Sequence, residues 1–100
     1  MDFNEIKTLD GEYLAKTYAR YPVALVGGKN ATLTDSNGKQ YIDFGSGIAV
    51  NIFGANDEEW KQAVIEQLGK IQHVSNYYYA EPQSRLAQML CERTGAKRVF

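Results

Sequence analysis

"ATLTDSNGKQYIDF", residues 31–44, alternates apolar and polar side chains on both sides of a polar break. "ATLTD" and "QYIDF" are rich in strand formers. Asn37-Gly38 between them is the strongest short hairpin signal in the chain. Just upstream, "VALV" (23–26) reads as a short apolar strand closed by Gly27-Gly28. Residues 23–44 therefore predict a three-stranded antiparallel meander.

The next stretch, "FGSGIAVN" (44–51), sets Gly45 and Gly47 inside an apolar run. Glycine weakens a strand interior, so a structural need must place it there. Two readings stand: a strand bend of small residues under a neighbouring helix, or a pocket wall where backbone approaches a ligand.

Around the meander the period changes to that of helices. Residues 2–19 read as helical, with Asp2 and Glu5 in capping-box spacing and Phe3, Ile6, Leu9, Tyr13 and Leu14 at helical intervals. Gly11 interrupts this pattern, and Asp10 is placed to cap a second short helix. Tyr21-Pro22 ends it, because a residue before proline avoids the α region. Residues 57–71 give the clearest helix, with Asn56 as N-cap and an apolar stripe of Trp60, Ala63, Val64, Leu68 and Ile71. A further helix carries Pro82 in its first turn, turns Leu86, Met89 and Leu90 inward, and ends at Gly95. "KRVF" (97–100) reads as the start of a strand. Amphipathic helices and a small meander require a covering layer. The expectation is one piece of a larger α/β protein, with a self-sufficient α+β domain as the alternative.

The 100 residues are 44% hydrophobic with a formal net charge of −1, which offers no basic footprint for nucleic acid. Apolar runs are too short to span a membrane, and the acidic start is unlike a signal peptide. One cysteine, Cys91, fits a reducing cytoplasm. One histidine and one cysteine give no metal-ligand spacing. His73 reads as an ordinary loop residue. Three adjacent tyrosines in "HVSNYYYAEP" (73–82) cannot all enter one core, so at least one faces a pocket or a partner surface. Tyr18 and Tyr21 flank a helix-to-strand corner and serve either packing there or a pocket.

The order and spacing of "RYPVALVGGKNATLTDSNGKQYIDFGSGIAVNIFG", "AVIEQ", "HVSNYYYAEPQSRLAQML" and "TGAKRVF" resemble the class III pyridoxal-phosphate aminotransferases, on their acetylornithine side. The likeness covers the chain from about Tyr18 onward. One departure is Gly54-Ala55-Asn56-Asp57-Glu58, where many members carry Gly-His-x-His-Pro. The resemblance implies an α/β fold of the type I pyridoxal-phosphate transferases. It divides residues 1–100 into a helical arm (1–20), the meander (21–53) and two helices (54–100) leading into a large cofactor domain. It implies amino transfer between N-acetylornithine and 2-oxoglutarate in arginine biosynthesis, by a cytoplasmic homodimer using pyridoxal 5'-phosphate. Ornithine, succinylornithine and 4-aminobutyrate are the alternative donors, and a non-catalytic interaction fragment is the alternative of another kind. None of Lys7, Lys16, Lys29, Lys39, Lys61, Lys70 and Lys97 matches the family's Schiff-base lysine, so no catalytic or cofactor-binding residue is expected here. The implied substrate-binding positions are Tyr18, Ser46, Gly47, Ile48, Asn76 and Tyr78, with the tyrosine loop also at the dimer interface.

Overall fold

In the computed structural model, which describes residues Met1–Phe100, the chain divides into two compact units, Met1–Val64 and Ile65–Phe100. The first begins with helix α1, Phe3–Tyr13. Its capping box forms as the sequence predicts: Glu5 N–H donates to Asp2 Oδ1 at 2.9 Å, and Asp2 N–H donates to Glu5 Oε2 at 2.7 Å. The helix passes through Gly11 but stops at Tyr13, short of the predicted residue 19. Leu14 is extended, and its N–H donates to the Asp10 carbonyl at 3.0 Å. Asp10 thus closes this helix instead of capping another. No residue of α1 is buried, so no packing rewards further turns past a glycine. The Asp10 carboxylate meets Arg20 Nη1 at 3.3 Å, tying the segment after α1 back to it.

Strands β1 (Leu25–Lys29), β2 (Thr32–Asp35) and β3 (Gln40–Ile42) form the expected antiparallel meander in that order. Gly27 and Gly28 lie within β1, where they were expected to close it. A bulge between Leu25 and Gly27 shifts the pairing by one residue, and beyond it Gly28 stands opposite Leu33. A Cβ on Gly28 would stand 2.6 Å from the Thr32 carbonyl oxygen, so only glycine fits this crowded pairing.

The β2–β3 hairpin is organised by Asp35, which is 6% exposed. Its backbone N–H donates to the Lys39 carbonyl, and its carbonyl accepts from Gly38, leaving Ser36-Asn37-Gly38 as a three-residue loop. Asp35 Oδ1 accepts from the N–H groups of Asn37 and Lys39, each at 2.9 Å, and Oδ2 accepts from the Tyr41 hydroxyl at 2.8 Å. Burial alone pushes this carboxyl up. The Tyr41 hydroxyl, the two N–H groups and the Lys39 charge outweigh it and hold the group below its ordinary value. The same hydrogen bond, then burial and the carboxylate's charge, raise the Tyr41 hydroxyl.

Helix α2 is the short segment Ser46–Ala49, and α3 runs Glu58–Lys70. The cap of α3 falls one residue later than predicted: Asp57 Oδ1 accepts from Trp60 N–H at 2.8 Å, while Asn56 takes a left-handed φ of 52°. In the second unit, α4 (Glu81–Thr94) has Pro in its first turn and Gly95 as a left-handed C-cap, both as expected. Residues 97–100 form no strand, since no neighbouring strand offers them a ladder.

No hydrophobic residue is buried. The stripes predicted on α3 and α4 are present but open, with Leu68 58% and Leu86 57% exposed. Met89 and Leu90 do not turn inward either; both remain exposed. No helix is long and apolar enough to cross a membrane.

Candidate functional site

The chain leaves β3 at Ile42 and does not return to regular pairing until Ala55. Both roots of this loop sit on the β1–β2 turn. Asp43 N–H donates to the Ala31 carbonyl at 2.8 Å, while Asn30 and Ala55 exchange N–H···O bonds of 2.7 and 2.8 Å. Residues 43–55 therefore make a loop with closely spaced ends, a form that often carries function. At its far root Gly54 has φ 81°, and a Cβ there would stand 2.6 Å from the Asn30 carbonyl oxygen. The backbone can close only because that residue is glycine.

The loop is not the strand bend, one of the two readings of "FGSGIAVN". Ser46, Gly47, Ile48 and Ala49 all have positive φ (48°, 63°, 63° and 59°), making one left-handed turn. Val50 and Asn51 N–H groups both donate to the Ser46 carbonyl at 2.8 Å, and Ala49 N–H donates to the Gly45 carbonyl at 3.0 Å. Left-handed backbone costs roughly 1–2 kcal/mol for each non-glycine residue, and three of these four are not glycine. Strain of this kind clusters at functional positions. Asp43 Oδ1 accepts from Gly45 N–H at 3.0 Å and Ser46 N–H at 2.8 Å, holding the turn's first residues. Ile48, β-branched and left-handed, is 95% exposed at the tip.

Beside the loop's near root lies a cleft of about 560 Å³, where Arg20 and Tyr21 from the helix-to-strand corner meet Tyr41, Asp43, Phe44 and Gly45. The cleft is shallow and open to solvent. Tyr21, one of the two corner tyrosines, lines it; Tyr18 does not and is 77% exposed. In the second unit a separate cleft of about 640 Å³ takes in His73, Ser75, Asn76, Tyr79 and Arg85. Of the two positions expected on that loop, Asn76 lines this cleft and Tyr78 does not. Ser46, Gly47 and Ile48 share the left-handed turn, so three of the six expected positions are brought together. Sequence reasoning missed Asp43. An aspartate two residues before a glycine, in "DFGS", is the local signal that would have marked it, since Asp side chains bond N–H groups two or three residues on.

The residues present do not match what pyridoxal phosphate requires. An activated Schiff-base lysine needs desolvation or a cationic neighbour. Six of the seven lysines are exposed, and half-buried Lys61 is paired with Glu58 at 2.6 Å. A helix N-terminus that cradles phosphate needs free N–H groups. In α1 and α3 one such N–H already bonds to Asp2 or Asp57, and the first turns of α1, α3 and α4 carry Glu5, Glu58, Glu59 and Glu81, whose charge opposes an anion there.

The aminotransferase class-III family matches residues 13–100. Acetylornithine aminotransferase of Haemophilus ducreyi is 47% identical over 100 residues, covering all of this chain and 25% of that protein. Succinylornithine transaminase of Yersinia enterocolitica is 46% identical over 89 residues, which is 89% of this chain and 22% of that one. Among solved structures, N-acetylornithine aminotransferase from Stenotrophomonas maltophilia superimposes with TM-score 0.77 at 37% identity, covering 93% of this chain and 24% of that one. Taurine:2-oxoglutarate aminotransferase from Bifidobacterium kashiwanohense, in complex with PLP and glutamate, gives TM-score 0.80 at 25% identity, covering 92% and 21%. The meander and its helices are thus an α/β segment of the pyridoxal-phosphate aminotransferase fold. The chain belongs to the class III aminotransferases, and it spans about a quarter of the length of the curated relatives it matches.

Proposed function

We propose that these residues serve a pyridoxal-phosphate aminotransferase that moves an amino group between N-acetylornithine and 2-oxoglutarate, in arginine biosynthesis. The observation that carries this reading is the 47% identity to an acetylornithine aminotransferase along the whole of the chain. The cofactor acts as the electron sink of such reactions, and its lysine and phosphate donors would be supplied by other parts of the intact protein. This segment would contribute substrate selection and subunit contacts. The arm 1–20 and meander 21–53 would flank the substrate mouth, and helices 54–100 would lead into the cofactor domain. Ser46, Gly47 and Ile48 would line that mouth, and Tyr18 would stand near the donor's distal end. Asn76 and Tyr78 would lie at the interface of a cytoplasmic homodimer, near the neighbouring active site. Succinylornithine is the second reading for the donor, favoured by the 46% identity to a succinylornithine transaminase.

Gly47→Phe in the intact enzyme tests the mouth. A bulky ring there should raise KM for the amino donor while leaving kcat little changed, the mark of lost uniform binding. Steady-state kinetics with N-acetylornithine and N-succinylornithine measures this and ranks the two donors. Unaltered KM for both would remove Gly47 from the mouth.

A further inference from the structure

The left-handed turn begins on one side chain. Its internal bonds, from Ala49, Val50 and Asn51 back to Gly45 and Ser46, are backbone to backbone and close the turn after it has started. The two N–H groups that lead into it, those of Gly45 and Ser46, converge on a single oxygen, Asp43 Oδ1, at 3.0 and 2.8 Å. Asp43 is itself fixed, because its own N–H is spent on the Ala31 carbonyl of the sheet at 2.8 Å. It is half-buried at the edge of the cleft that holds Arg20, Tyr21 and Phe44.

Three of the turn's four residues, Ser46, Ile48 and Ala49, are types that avoid positive φ, and Ile48 avoids it most because of its branched Cβ. Nothing in their own preferences selects this hand. Released from Asp43, Ser46 and Ile48 would fall back to right-handed or extended backbone, and the Ile48 side chain would swing away from its place at the tip. Charge-assisted bonds to backbone N–H groups are among the stronger hydrogen bonds, and two on one oxygen fix a direction as well as a distance.

We propose that Asp43 is a positioning residue that sets the left-handed turn at Ser46–Ala49 and thereby places Ser46, Gly47 and Ile48 for the amino donor. The second half of this statement rests on the substrate-mouth reading above. The first half stands on the turn alone.

The test compares Asp43→Ala, Asp43→Asn and Gly47→Phe in the intact holoenzyme, by amide hydrogen exchange and steady-state kinetics. In Asp43→Ala the Gly45 and Ser46 amides should exchange roughly tenfold faster or more. KM for the donor should rise severalfold with kcat nearly unchanged. Asp43→Asn keeps an Oδ1 acceptor and should restore most of both. Protection of the Asn37 and Lys39 amides, held by Asp35, reports that the sheet is still folded. Unchanged exchange at Gly45 and Ser46 in Asp43→Ala overturns the proposal. So does faster exchange with an unmoved KM when Gly47→Phe does raise it, because the turn's shape would then not reach the substrate. A silent Gly47→Phe overturns the substrate-mouth reading instead, and the exchange rates still decide whether Asp43 sets the turn.

Discussion

Two turns follow one another in the first unit, each held by an aspartate. At Ser36-Asn37-Gly38, Asp35 gathers the N–H groups of Asn37 and Lys39 and the Tyr41 hydroxyl, and the positive φ falls on glycine. At Ser46–Ala49, Asp43 gathers two N–H groups, and the positive φ falls on Ser, Ile and Ala as well as on Gly47. The first turn is relaxed and serves the sheet. The second is strained and ends at an exposed apolar tip. The same device, a carboxylate accepting forward N–H groups, closes a hairpin in one place and holds an unfavourable backbone in the other.

The sharpest way to break the strained turn is at its root. Gly54→Ala would set a Cβ 2.6 Å from the Asn30 carbonyl oxygen at φ 81°, against backbone that cannot move aside. The expected loss is about 3 kcal/mol or more, read as a fall in the denaturation midpoint of the intact protein. The hairpin has no counterpart to this root and should keep its amide protection.

Next in size is acid acting on the relaxed turn. The Asp35 carboxyl is held below its ordinary value, so the unfolded chain takes up the proton first as pH falls. Its stabilising effect is complete above about pH 4 and is lost as pH drops through the lowered value, below the ordinary 3.8. The Tyr41 shift has the opposite sense: its contribution is complete below the ordinary value of 10.0 and is lost as pH rises through the raised one. Following the Tyr41 ring resonances from pH 6 to pH 2 in wild type and Asp35→Asn checks the acid limb. The variant should show no such transition.

The smallest effect sharpens the comparison most. A Cβ on Gly38 would meet nothing within 4 Å, and one on Gly47 would make only ordinary contacts, the nearest at 3.4 Å. Alanine at either site therefore introduces little but backbone strain, about 1 kcal/mol each. Equal losses in chemical denaturation would show that both glycines are required by φ alone. A much larger loss at Gly47 would mean that neighbours in the intact protein crowd that site.

The hairpin was legible because Asn-Gly acts locally, and so were the capping box at Asp2–Glu5, Pro82 and the Gly95 cap. Each depends on residues within a few positions. What escaped depends on more distant partners. β1 runs through two glycines because Gly28 must lie against Thr32 and Ala55, which "VALVGG" cannot reveal. Helix α1 stops at Tyr13 because nothing covers its later turns. The left-handed turn is the hardest case. Three of its four residues argue against it, and only the roots at Ala31 and Asn30, with the Asp43 carboxylate, force the backbone there. Of the proposed substrate mouth, the family resemblance pointed to Ser46, Gly47 and Ile48 as a group, while Asp43, which accepts from the Gly45 and Ser46 N–H groups, went unmarked.

The chain's apolar faces have a calorimetric consequence. The heat-capacity increment of unfolding grows with the apolar surface that unfolding newly exposes, and so does the sensitivity to denaturant. With no hydrophobic residue fully buried, residues 1–100 taken alone have less such surface to expose than a packed domain of this length. Their melting would be broad and their response to urea shallow. The heat capacity that Trp60, Leu68 and Leu86 bring to an intact enzyme would arise only where other parts of the protein close over them, so the signature of these side chains would be stored in contacts this segment does not make by itself.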